Sequence, residues 1–132
     1  MDIEKVKDGL KSIITMENWS CGTIDKNKEQ AIGVYDNTRR IEKISQFDNL
    51  QTYTIVPFSL LIRYTQNYVS ANKKAYEIYN AIKDKKVLEI DNKKYYMILV
   101  DENPQNTGPD DKGIYEFVID FNLLGGKQNG KY

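Results

Sequence analysis

Histidine is absent from this chain of 132 residues, and cysteine occurs once, as Cys21. Without histidine the usual general base near neutral pH and the commonest metal ligand are both missing. A single cysteine excludes an intrachain disulfide and every multi-cysteine zinc site, so the fold rests on packing alone. Cys21 has no histidine to activate it and reads as a passive, small hydrophobe. There is no excess of either charge: 19 basic residues face 19 acidic ones. The bulk attraction on which non-specific binding to nucleic acid or anionic lipid depends is therefore absent, and neither is expected as a partner. No run approaches the ~18 apolar residues that a membrane span needs, and the acidic opening Met1-Asp2-Ile3-Glu4 lacks the apolar stretch of a signal peptide. A cytoplasmic place of synthesis and assembly is the expectation.

The phosphate-cradling glycine pattern is missing as well, because Gly108 and Gly113 are too sparse and Gly125-Gly126 precedes no helix. The densest carboxylates are Asp101, Glu102, Asp110 and Asp111, but they lack the regular ligand alternation and closing glutamate of a calcium loop. No metal and no cofactor is expected. Tyr64, Tyr68, Lys73, Lys74 and Tyr76 interleave aromatic and basic residues as a single-strand binder would. Tyr76 and Tyr79, however, stand at helical spacing with Ile78 and Ile82, which assigns such tyrosines to packing with their hydroxyls at the rim.

What is present is patterned hydrophobicity. Ile3, Val6, Leu10, Ile13 and Ile14 predict an amphipathic helix of about four turns. A short strand, Ala31–Tyr35, follows the polar turn at Asp25–Lys28, and Asp36–Arg40 reads as a turn with two positive charges. The stretch Tyr53–Tyr64 is β-branched, aromatic and the most apolar of the chain; Pro57 within it argues for an edge position or a bulge. Arg63 ends this run, where a cation is costly unless it faces solvent or meets a carboxylate. Between Val69 and Asp84 the period becomes helical, with Ser70 as the candidate N-cap and Lys83, Lys85 and Lys86 at the C-terminal end. Val87–Ile90 and Tyr95–Val100 form a hairpin around Asp91–Lys94.

A turn-rich loop, Asn103–Gly113, is expected to interrupt the ladder before a long strand, Ile114–Leu124, that places Tyr115, Phe117, Ile119, Phe121 and Leu123 on one face. The order predicts an α+β domain over residues 1–124: a mostly antiparallel sheet with two main helices on one face. Residues 125–132 read as a flexible C-terminal tail.

Taken together, Ile32-Gly33-Val34-Tyr35, the run Val56–Arg63, Ala75-Tyr76-Glu77-Ile78-Tyr79, and Asn103-Pro104 through Gly108-Pro109-Asp110-Asp111-Lys112-Gly113-Ile114-Tyr115-Glu116-Phe117 resemble the minor capsid proteins of tailed phages of Gram-positive bacteria. These are similar in design to tail terminators and tail-completion proteins, and related genes occur in phage-tail-like bacteriocins. The likeness extends from about Ala31 to Leu124. It implies a non-enzymatic virion protein that forms a ring, commonly six-fold, which caps the tail tube and joins tail to head or collar. Its implied partners are copies of itself, the tail tube protein, and the sheath and neck or connector proteins. Within that reading Arg39, Arg40 and Arg63 are expected to pair across subunits with Asp110 and Asp111. Asn103, Pro104, Lys112, Lys127 and Tyr132 belong to the segments expected to touch neighbours. A small adaptor or regulatory domain that binds one phage or host protein is the alternative, and a carboxylate-dependent hydrolase a third.

Overall fold

The computed structural model describes residues 1–37, 42–45 and 52–126. The chain runs through α1 (Ile3–Lys11), β1 (Trp19–Cys21), β2 (Ala31–Asp36), β3 (Glu42–Ser45), β4 (Thr52–Arg63), α2 (Tyr68–Lys85), β5 (Val87–Ile90), β6 (Lys93–Leu99), β7 (Gln105–Pro109) and β8 (Tyr115–Gly126). This is the expected α+β order with a mostly antiparallel sheet. Its strands lie in the order β1-β2-β4-β8-β6-β5, with β3 also on β4 and β7 also on β8; among the described residues only β1 and β2 are parallel.

The long strands β4 and β8 form a spine, paired without a register break from Tyr53↔Gly126 to Arg63↔Glu116. Each shares its other edge between two short strands: β4 between β2 and β3, and β8 between β6 and β7. Alternation sends Val56, Phe58, Leu60 and Ile62 of β4 and Phe117, Ile119, Phe121 and Leu123 of β8 to one buried face. The rings of Phe58 and Phe121 stack across the spine, 5.8 Å between centroids. Val6 and Leu10 of α1 and Ile78, Tyr79 and Ile82 of α2 complete this core, so both helices lie on the inner face. Because α1 packs against β1 and β2 at one end of the sheet and β5 at the other, the sheet curls around it. A helix laid against terminal strands in this way limits unwanted edge pairing.

Pro57 lies in a central strand, neither at an edge nor at a bulge. Its carbonyl accepts from Asn37 N–H (3.0 Å), which places its donor-less nitrogen on the same side, in the gap where β4 changes partner from β2 to β3. The first helix stops after nine residues, because the Ser12 hydroxyl donates back to Gly9 O (2.6 Å) and closes the last turn; Ile14 reaches the core from beyond the helix. In α2 the N-cap is Asn67, whose side chain accepts from Ser70 N–H (3.0 Å), so Ser70 lies inside the first turn. The hairpin closes on two residues, Asp91 and Asn92, both at positive φ as a type I′ turn requires, which leaves Lys93 and Lys94 to the strand.

The larger correction concerns Asn103–Gly113. Its residues Gln105–Pro109 form β7, an edge strand paired with β8. The register shifts between Asn106 and Gly108, and Gly108 takes φ 89°, so a bulge absorbs the residue that would not fit the ladder. Pro109 is tolerated because β7 has no second partner among the described residues. At the C-terminal end β8 also runs past Leu124: Gly125 and Gly126 pair with Thr54 and Tyr53, and a Cβ on Gly125 would meet the Tyr95 ring at 2.6 Å. The rest of the expected tail, residues 127–132, lies outside the described residues.

Candidate functional site

Alternation that buries Ile62 on the inner face turns Arg63, the last residue of β4, to the outer one. Its side chain is nevertheless 0 % exposed. Three chain segments converge to cover it. Its cross-strand neighbour Glu116 accepts from Nη1 at 3.2 Å, and Asp110 at the tip of the β7–β8 hairpin accepts from the same nitrogen. The connection between β1 and β2 supplies the other acceptors: Nε donates to Lys28 O (3.3 Å) and Nη2 to Lys26 O (3.4 Å). That connection lies close against the sheet because Gly33 has no Cβ; one would collide with the carbonyl of Thr23.

Asp110 works with both oxygens. Oδ1 accepts from the backbone N–H groups of Lys112 and Ile114 (2.9 Å each) and so builds the hairpin turn, while Oδ2 faces Arg63. Lys112 reaches across to donate to Lys26 O (3.0 Å). The Arg63 guanidinium, helped by the two N–H groups and opposed by burial, holds the Asp110 carboxyl at about 2 against an ordinary 3.8. The unfolded chain thus takes up this proton at higher pH than the folded one. The linked stabilisation is complete above the ordinary value and is lost as pH falls through it toward 2. Asp110→Asn keeps a turn-forming oxygen and removes only the charge, so it should flatten stability against pH between about 4 and 2. Thermal melts of both chains across that window check this; an unchanged acid slope would show that other carboxylates set it.

The pairing of Arg63 with Asp110, expected between subunits, is therefore made within one chain. It fixes the hairpin tip whose next residues, Asp111 and Lys112, are exposed. Asn103 and Pro104 sit at the opposite end of β7, beside α2: Asn103 accepts from the Tyr76 hydroxyl (3.0 Å), and Pro104 is buried. The expected contact residues thus fall into two groups separated by the length of β7. Arg39, Arg40, Lys127 and Tyr132 lie outside the described residues.

Tyr68, Lys74, Tyr76 and Tyr79 of α2 engage their own chain. Tyr79 donates to Asp101 O (2.8 Å), and the Tyr68 ring meets Tyr115 edge-on at 5.2 Å. Lys74 lies over the Tyr64 ring and bonds Glu77 (2.9 Å). Burial pushes the Cys21 thiol up, against the effect of Lys7, and so away from the reactive thiolate. Among the described residues no three His, Cys, Asp or Glu side chains gather as a metal site.

Two features of the outer face escaped the sequence reading. Asn37 donates to Ser59 (2.9 Å), and Ser59 donates to Asp120 (2.5 Å), a polar row whose signal was a serine inside an apolar run. On β6 and just beyond it, Tyr96, Ile98 and Val100 point outward and are 59, 44 and 47 % exposed, while Met97 faces the core. The signal was an unbroken apolar run, Tyr95–Val100, where a strand covered on one face should alternate.

Residues 5–125 match the model of a family described as bacteriophage tail terminator protein. No curated protein matches the chain.

Proposed function

The chain belongs to the bacteriophage tail terminator family, and from that premise we propose that copies of it close into a six-fold ring on the end of the tail tube and present the surface to which head or collar joins. As a member it is a structural protein of the phage tail; the ring and the joining role are the further step. The observation that carries the reading is the extent of the match, which runs from Lys5 in α1 through every later element to Gly125, one residue short of the end of β8. A head-to-tail ring needs rigid, distinct contact faces and no reaction centre. The Arg63 cluster supplies such rigidity, since it ties the β7–β8 tip to the β1–β2 connection. Exposed Asn103, Asp111 and Lys112 at the two ends of β7 are the proposed contacts with neighbours, Arg63 and Asp110 hold that tip in place, and Arg39, Arg40, Lys127 and Tyr132 remain proposed contacts. The partners are further copies, the tail tube protein, and the sheath and neck proteins where present; the site of action is the neck end of the virion tail, after assembly in the bacterial cytoplasm. Deletion of the gene from the parent phage tests this directly. Tails of uncontrolled length, or tails that fail to join heads, are the expected result, whereas normal tails joined to heads would refute it.

A further inference from the structure

Each subunit of a head-to-tail ring carries two different faces, one of which receives the other. Met1 aside, the large apolar side chains left exposed among the described residues fall into two groups: Tyr96, Ile98 and Val100 on the sheet, and Tyr68, Val69 and Tyr76 on α2. They lie on opposite sides of the molecule. α2 packs on the inner face of β6 and β8, whereas the first group points out from the other face. An exposed apolar cluster of this kind marks a contact surface. β6 in particular is apolar on both faces, the pattern of a strand covered twice, and the helices cover it once.

Charge distinguishes the two groups and pairs them. The solvent stripe of α2 at helical spacing reads Val69, Lys73, Tyr76, Asn80, Lys83; exposed Glu77 and Asp84 flank it, but with Lys85 and Lys86 beyond its end the lysines prevail. The sheet group starts beside Lys94, which shares its face, and ends against carboxylates: Asp101 and Glu102 follow Val100, and Val100 N–H donates to the backbone carbonyl of Asp120 (3.0 Å) in the next strand. A stripe in which lysines prevail can therefore meet an apolar one bordered by carboxylates at its Val100 end, a better match than two copies of the lysine-rich stripe would make. Resting on the ring reading above, we propose that the outer face of β6 in one copy receives the exposed stripe of α2 from the next copy. Apolar anchors supply the contact area, and the lysines set its register against the acidic end.

Sedimentation velocity on the full chain tests this, with isolated tail tubes added if the free chain stays single. Ile98→Glu damages only the receiving face and Val69→Glu only the inserting one; both positions are exposed, and circular dichroism checks that each variant folds. Each variant alone should lose ring formation, with association at least ~100-fold weaker. Mixed in equal amounts they should form one-to-one dimers that grow no further, because one intact face of each kind remains. Tyr96→Ser and Lys73→Glu form a second pair should either variant fail to fold. Rings from either variant alone would overturn the surface assignment and leave the ring reading standing. Loss with Ile98→Glu only, and no dimer in the mixture, would mean that the sheet face pairs with itself, and would also overturn it. A wild-type chain that never oligomerises, free or on tubes, would remove both readings together.

Discussion

Replacing Arg63 with methionine is expected to destabilise the chain by about 3 kcal/mol, the scale for removing one partner of a buried ion pair. The loss combines several effects. Asp110 and Glu116 are left facing each other without a cation, and the carbonyls of Lys26 and Lys28 lose donors in a site closed to solvent. For a chain of this size such a loss lowers the melting temperature on the order of 10 °C. Arg63→Lys should recover little, because one ammonium cannot serve acceptors on three segments as a planar five-donor group does. Removing all the charges together, in Arg63→Met with Asp110→Asn and Glu116→Gln, should recover much of the stability, since the penalty lies in the unpaired carboxylates. Thermal melts at neutral pH measure all three. If Arg63→Met melts within a degree or two of the parent chain, the cluster is not what holds the hairpin tip.

Phe121→Ala is expected to cost still more, about 4 kcal/mol. The ring is fully buried on the inner face of β8, stacks on Phe58 of β4, and lies in the core shared with both helices. Its removal leaves a cavity where two paired strands and two helices meet, and a curled sheet packed on both helices has little freedom to collapse into it. Urea unfolding should show the midpoint falling while the slope stays unchanged; a loss below ~1 kcal/mol would place the centre of the core elsewhere.

The parts of this architecture that were legible in the sequence are those set by local period and turn chemistry. The inner face of β8, the core stripe of α2, the strand character of β4 and the β5–β6 hairpin each lie in one continuous segment whose period, composition or turn residues are its own signal. What was not legible depends on a strand's neighbours. Pro57 and Pro109 both looked like breaks, and each is harmless because its missing donor falls where no partner strand requires it. β7 was read as loop for the same reason, since its proline, glycine and asparagines are tolerated in an edge strand with a bulge. Arg63 presented two alternatives, solvent or a carboxylate. The choice depended on Asp110 and Glu116, 47 and 53 residues away, brought near by the β4–β8 register and the hairpin tip. Sequence alone offered no reason to place that pair inside one subunit. The outer stripe of β6 left a trace as missing alternation, whose meaning emerged once the helices were seen to cover only the other side.

Electron cryomicroscopy of the parent phage, focused on the head-side end of its tail and compared with particles whose copy of this chain carries an added density label, tests the central claim most directly. The account predicts one closed six-fold layer on the last tube ring, built from this chain, with the label repeated in every subunit. A finished tail end in which that layer is made by another protein, or in which no labelled copy is found, would contradict it.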